Sequence, residues 1–247
     1  MCTSTTPPEM NSGKKNSYYY SQQQMGIDRR TKKLIVDRCA PFIKGEYILD
    51  LGYVDGLWTD VLEPKGFNID IVEGAIEHCE YARKKYHQNT KIKVHHTLFE
   101  EYVPTQKYDT IIAGDMIRYL ANPIDFLNKI QSWLTDNGIL IVTVPNSRSL
   151  HRRIGALMNL ETTPTSANQR DIEVGNLRSY DRYEFRNLLL SSGYKISALH
   201  GCFLKPLSSQ QIESWTDDML NAWLLLGDEL EDYAWFLYAI CKVQKPT

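Results

Sequence analysis

Three groups of residues in this chain have types and spacings that can do chemistry. The first is Asp50-Leu51-Gly52-Tyr53-Val54-Asp55-Gly56, which runs from an apolar stretch into a glycine-bearing turn. Glycines there permit positive φ and close approach of the backbone to a ligand, and the start of a following helix offers unpaired N–H groups. The second is Glu73, at the end of the next apolar run and 21 residues beyond Gly52 (73 − 52). In a nucleotide-binding α/β unit a carboxylate at that distance can accept both hydroxyls of a ribose. A Gly-x-x-x-Gly turn alone also occurs as a plain tight turn, so the spacing to Glu73 carries the nucleoside reading.

The third group lies later in the chain. Asp115 follows the run Asp109–Ala113 through Gly114, at the edge where a substrate would lie. His151 comes a few residues after the run Ile139–Val144. Imidazole titrates near neutral pH and suits a general base, although beside Arg152 and Arg153 a surface histidine is the alternative. Arg152, Arg153, Arg170 and Arg178 make this stretch basic; guanidinium groups match carboxylate or phosphate geometry, or they form a solvated face. Tyr180 can stack on an acceptor or pack in a core.

Positioning these residues calls for a repeated strand–helix pattern. Short apolar runs fall at Tyr47–Asp50, Asn68–Val72, Ile92–His95, Asp109–Ala113 and Ile139–Val144. Helical-period segments lie at Arg29–Cys39, Trp58–Leu62, Ala75–Tyr86 and Pro123–Leu134. Strand and helix alternating in this way predict a parallel α/β sheet whose chemistry gathers along one edge. After Pro145 the alternation stops, and residues 146–180 form an irregular, arginine-bearing insert of the length that usually carries function. A helix at Tyr183–Ser192, a strand at Tyr194–His200, a helix at Asp217–Leu230 and a final aromatic strand at Trp235–Val243 complete the chain, the two strands forming an antiparallel flap on the sheet edge. Residues 1–28 read as a polar N-terminal arm or lid, and 29–247 as one domain.

Composition excludes several classes. Of the 247 residues, 28 are Lys or Arg and 30 are Asp or Glu, a net charge of -2 that argues against a dedicated nucleic-acid binder. No run approaches the roughly 18 apolar residues of a membrane span, and residues 1–15 lack the apolar core of a secretory signal. Five widely spaced cysteines with no Cys-x-x-Cys pair read as free thiols in a reducing cytoplasm, not as a disulfide framework or zinc site. His95 and His96 are adjacent on a strand and point to opposite faces, so no metal site is expected there.

The motifs together resemble the class I S-adenosylmethionine-dependent methyltransferases. Asp50-Leu51-Gly52-x-x-Asp55-Gly56 is similar to the family's first motif, and Val72-Glu73-Gly74-Ala75 to its second. Leu98-Phe99-Glu100-Glu101 and Tyr108–Ile112 are similar to the adenine-contacting segment and fourth strand, and Pro123–Asn146 to the following helix, turn and fifth strand. Ser149-Leu150-His151-Arg152 resembles a bacterial subgroup acting on small molecules and sugars. The resemblance implies a Rossmann-like α/β fold: a seven-stranded, mostly parallel sheet with an antiparallel last strand and helices on both faces. It implies S-adenosylmethionine as cofactor, with S-adenosylhomocysteine as product. Gly52 and Gly56 would cradle the methionine moiety with Asp50 near its amino group, Glu73 would hold the ribose, and Leu98 and Phe99 would border the adenine.

Two departures from the family pattern stand out. Val54 occupies the turn where relatives carry glycine, and a β-branched side chain resists positive φ. Gly114–Tyr119 lacks the histidines that relatives carry there, leaving Asp115 or His151 as the base. The expected activity is methylation of oxygen, or else nitrogen, on a small polar acceptor; an acidic one fits Arg152, Arg178 and Tyr180, with Tyr20 contributing from the arm. A monomer or homodimer without metal, nucleic acid or membrane is expected. The alternatives are a catalytically degenerate relative that binds the cofactor, motivated by Val54, and a tRNA or protein methyltransferase.

Overall fold

The computed structural model describes residues 26–160, 163 and 175–244. Helix α1 (Ile27–Cys39) leads into β1 (Tyr47–Leu51), followed by α2 (Leu57–Leu62), β2 (Asn68–Glu73), α3 (Ile76–Lys85) and β3 (Ile92–His96). Then come β4 (Tyr108–Gly114), α4 (Pro123–Gln131), β5 (Leu134–Pro145), α5 (Leu150–Leu157), α6 (Arg182–Ser191), β6 (Tyr194–Cys202), α7 (Asp217–Glu229) and β7 (Phe236–Val243).

The seven strands form one sheet in the order β3-β2-β1-β4-β5-β7-β6. Neighbours are parallel from β3 through to β5, and β7 is antiparallel to both β5 and β6. The chain steps outward from β1 to β3 and then returns to β4 on the other side of β1. That reversal leaves a crevice beyond the C-terminal ends of β1 and β4, the usual ligand position in open α/β sheets. The two late strands thus form an antiparallel pair on the edge of the sheet, continuous with it through β5.

Alternation along each strand divides the core into two faces. Leu49, Leu51, Leu140, Val142 and Val144 pack against Phe126, Leu127 and Ile130 of α4 and Phe185 and Leu189 of α6. On the opposite face Ile139, Ile141 and Ile240 meet Ile35 and Cys39 of α1 and Leu220 of α7, while Ile48, Ile69 and Ile71 meet Leu62 and Ala82. Burial on both faces is why these strands read as continuous apolar runs.

Local chemistry sets the helix ends that matter for the site. Asp181 and Glu184 form a reciprocal cap at α6, with Glu184 N–H donating to Asp181 Oδ1 at 2.8 Å and Asp181 N–H to Glu184 Oε2 at 2.9 Å. Asn146 pairs with Tyr180 just before that cap, bringing the two ends of the insert together.

Two local expectations needed correction. Helix α4 ends at Gln131, not Leu134, because Trp133 C=O accepts Tyr108 N–H at 2.8 Å and Leu134 pairs with Tyr108, drawing the chain into β5. Asn137-Gly138 accordingly lies within a long β5 opposite an irregularity in β4. The insert also contains α5, an eight-residue helix with no buried residue. Its one sequence signal is Leu150, Ile154 and Leu157 at helical spacing.

Candidate functional site: the carboxylate-backed turn at the sheet rim

The turn after β1 is built from three left-handed residues. Gly52 has φ +96°, Val54 +48° and Gly56 +73°. Gly52 N–H donates to Val72 C=O at 2.9 Å and Gly56 N–H to Tyr53 C=O at 2.7 Å, so the turn is closed on itself and tied to β2. A side chain at position 56 would run into the ring of Tyr53, which packs on this glycine. Valine at 54 does take up positive φ despite its β-branched side chain.

Glu73 closes the turn from the end of β2. One carboxylate oxygen, Oε2, accepts N–H groups from Tyr53 at 3.0 Å and Val54 at 3.2 Å, while Oε1 accepts from Ala75 at 2.7 Å. The side chain is buried, with His78 Nδ1 3.6 Å from Oε2, a distance for charge interaction and too long for a hydrogen bond. Burial pushes its pKa up, but His78 and the Ala75 and Val54 amides outweigh that and hold it below the ordinary range.

Beneath the turn, Asp50 is completely enclosed. Oδ2 accepts from Thr59 Oγ1 at 2.9 Å, whereas Oδ1 is buried with no hydrogen-bond partner among the described residues. Desolvation raises its pKa to about 7, with Glu73 and Asp55 adding to the rise and the Thr59 hydrogen bond opposing it. An orphaned buried carboxylate oxygen is a site waiting for a donor or a cation. Leu98 and Phe99 converge here too. A Cβ on Gly52 would lie 3.6 Å from Phe99 Cζ, and one on Gly74 would lie 3.3 Å from Leu98 Cδ2. Phe99 thus borders the turn at Gly52 and Leu98 lies against Gly74 next to Glu73; the carboxylate acceptors of Glu73 and Asp50 fit a nucleoside with a cationic tail.

The other expected residues fall on the rim beyond β4 and β5. Asp115 stands at φ +60° and its carboxylate is gripped by Arg118, with Nε 2.9 Å from Oδ1 and an Nη 2.9 Å from Oδ2. His151 lies in the first turn of α5, half-buried; its N–H donates to Lys205 C=O at 3.1 Å and its Nδ1 is 3.2 Å from Ser149 Oγ. Arg152, Arg178 and Tyr180 share a small cavity with Arg118. Tyr20 and Arg170, and with them residues 1–25 of the expected arm or lid and the middle of the insert, lie outside the described residues, while Ile27 and Asp28 at the arm's end already belong to α1.

Sequence reasoning missed three residues here. Arg29 of α1 donates to Asp55 C=O at 3.1 Å, pairs with Asp55 Oδ2 at 3.2 Å and with Asp60 Oδ2 at 2.8 Å, bracing the turn from outside. Trp58 places its indole nitrogen where a Cβ on Gly114 would approach to 2.6 Å, so that glycine makes room for the ring. Lys205 is buried, with Nζ 2.6 Å from Ser209 Oγ, 3.7 Å from Asp28 Oδ1 and 4.3 Å from the Trp235 ring centroid. No spacing in the sequence marks any of the three.

Comparison with known proteins agrees with this geometry. Residues 23–199 match the family described as a methyltransferase domain, and the chain belongs to that family. It is 25% identical over 140 residues to the ubiquinone biosynthesis O-methyltransferase of Rickettsia prowazekii, covering 53% of this chain and 55% of that one. The Rickettsia canadensis protein of the same name is 28% identical over 100 residues, 40% of this chain and 42% of the relative. The chain thus spans about half the length of the curated relatives it matches. Among solved structures, an S-adenosylmethionine-dependent methyltransferase from Clostridium acetobutylicum superposes with TM-score 0.62 at 15% identity, covering 93% of this chain and 99% of that one. The plantazolicin methyltransferase BpumL in complex with SAH gives 0.61 at 15% identity over 96% and 92%. At these identities the structures share the fold.

Two outcomes follow from the turn. A non-glycine residue in the left-handed region costs roughly 1–2 kcal/mol, part of which glycine returns through its freer unfolded chain. Val54→Gly should therefore stabilise the protein by about 1 kcal/mol in urea unfolding, and a lower midpoint would show that Val54 is held by its packing. Asp50 is protonated more readily folded than unfolded, so its contribution is full below the ordinary value of 3.8 and is lost as pH rises towards about 7. Unfolding free energy should fall over that window in the parent more steeply than in Asp50→Asn; equal slopes would remove Asp50 as the cause.

Proposed function

We propose that this chain is an S-adenosylmethionine-dependent methyltransferase acting on an oxygen of a small polar acceptor. The observation that carries the reading is the Glu73 carboxylate set against the glycine turn above the enclosed Asp50. The cofactor supplies a methyl group already activated on a sulfonium, so the protein has only to orient the acceptor and accept its proton. Glu73 would hold the ribose hydroxyls, Asp50 Oδ1 would accept from the amino group, and Leu98 and Phe99 would flank the base.

A carboxylate offers about four acceptor positions, of which backbone amides already fill three at Glu73. Two ribose hydroxyls would therefore compete with the Tyr53 or Val54 amide, and the turn would yield one of these bonds on binding. A cation beside Asp50 favours its ionised form, so cofactor binding would release the proton that burial retains near neutral pH.

For the acceptor, orientation can account for up to about 7–11 kcal/mol of barrier lowering, and a general base for roughly 10²–10⁴-fold in rate. His151 is the base in this reading, its ring oriented by Ser149 and its helix anchored through Lys205. Asp115 is engaged by Arg118 and acts as that guanidinium's anchor. The names of the ubiquinone biosynthesis relatives support both oxygen and a small-molecule acceptor. Among the described residues no helix is long and apolar enough to cross a membrane.

Calorimetry with S-adenosylhomocysteine tests the cofactor half. The parent should bind, and Glu73→Gln should weaken binding at least about ten-fold, the scale of a charge-assisted hydrogen bond; a parent that does not bind refutes the reading. With any acceptor found in a panel of phenols and sugars, His151→Ala should lower kcat by roughly 10²–10⁴ and spare cofactor affinity. A parental rate across pH would move the base elsewhere.

A further inference from the structure

Building on the methyltransferase reading, we propose that Asp28 and Lys205 are positioning residues: through the first turn of α1 they set the helix carrying His151 in register with the cofactor turn. Lys205 is the one Lys or Arg that is buried among the described residues, and Asp28 is buried with it. Lys205 Nζ lies 3.7 Å from Asp28 Oδ1. Ser209 Oγ links the two, accepting from Lys205 Nζ at 2.6 Å and donating to Asp28 Oδ1. The same lysine holds α5 through its backbone, its C=O accepting His151 N–H at 3.1 Å.

Stability does not call for this arrangement. Moving two charges out of water costs free energy that their attraction only partly returns, and apolar replacements of similar volume are often neutral or stabilising. The backbone leading to Lys205 is also strained. Phe203 stands at φ +62° although it carries a bulky side chain, and it is fully buried. Its C=O accepts Trp235 N–H at 2.7 Å, and Leu204 N–H donates to Trp223 C=O at 3.0 Å, so the bend is held from two sides. A Cβ on Gly227 of α7 would lie 2.9 Å from the amide nitrogens of Phe203 and Leu204, so α7 makes room for the bend. Strain kept in place by its surroundings clusters at functional positions. Here it turns the chain out of β6 so that Lys205 meets Asp28 with its side chain and α5 with its carbonyl.

The first turn of α1 makes the connection to the cofactor side. Ile27 N–H donates to Glu213 Oε2 at 3.2 Å and Arg30 to Trp215 C=O at 3.1 Å, so residues on either side of Asp28 also grip the stretch between β6 and α7. Arg29 reaches the other way, to Asp55 and Asp60 at the turn after β1. Adjacent residues of one helical turn thus hold the acceptor side and the cofactor side. A movement of the glycine turn on cofactor binding would pass through Arg29 and Asp28 to Lys205, and from its carbonyl to His151, along a continuous series of polar contacts.

The full-length protein with isotope-labelled histidine is titrated with S-adenosylhomocysteine and followed by NMR, His151→Ala identifying the His151 ring signal among the six histidines. In the parent the ligand should displace that signal. The double variant Asp28→Asn, Lys205→Met removes both charges together and leaves neither unpaired; Arg29→Gln cuts the other end, at a side chain 26% exposed. Each, at saturation, should lose more than half of the displacement, whereas a loss of stability alone would leave it unchanged. No displacement in the parent, or half or more of it surviving in either folded variant, overturns the proposal. So does loss of S-adenosylhomocysteine binding in the folded double variant, because the pair would then be holding the cofactor itself. Failure of the parent to bind rejects the methyltransferase reading instead. The ligand-free signal then decides the rest: the double variant should displace it, and an unmoved signal overturns Lys205 as the residue that positions His151.

Discussion

The Glu73 carboxylate joins two successive crossover connections of the sheet. Its oxygens accept from the turn after β1 and from the amide that opens the approach to α3. Without that acceptor, the Tyr53 and Val54 amides would sit beside a strained loop with nothing to fix their direction. Three left-handed residues within five positions give the turn its sharpness but not its orientation. Orientation comes from the carboxylate inside and from Arg29 outside, which holds the Asp55 carbonyl from α1. The turn is therefore clamped from two elements that are distant in sequence.

That clamp explains why acidic groups are tolerated at such density. Asp50, Asp55 and Glu73 crowd one end of β1 and β2, and like charges at close range raise one another's pKa. The molecule divides the burden unequally. Backbone amides and His78 keep Glu73 ionised, while Asp50, with only Thr59 to assist it, retains its proton to near neutrality. One carboxylate is thus committed to hydrogen-bonded structure and the other is left short of a partner.

Much of this architecture is legible in the sequence because it is local. Strands buried on both faces announce themselves as apolar runs, and the glycine turn followed by Glu73 needs nothing beyond its own βαβ unit to be recognised. Leu98 and Phe99 carry no such signal and emerge only through resemblance to the family; the fold then sets them against Gly74 and Gly52. Helix α5 is hidden because it is short and buries no residue completely. The end of α4 is hidden because Tyr108, more than twenty positions earlier, decides where β5 begins. Arg29, Trp58 and Lys205 are ordinary residues in ordinary stretches, and only tertiary packing brings them to the site.

The two halves of the rim are built from different side chains. Beyond β1 and β2 the surroundings are carboxylates, suited to a cationic ligand. Beyond β5 the rim carries Arg118, Arg152 and Arg178. The Asp115–Arg118 pair stands in the chain segment between them, its positive member lining the cavity beyond β5 and its negative member fixed at φ +60° by the end of β4. That ion pair fixes the turn after β4 at the boundary, so the carboxylate-backed turn and the arginine-bearing insert meet at a braced segment of the rim.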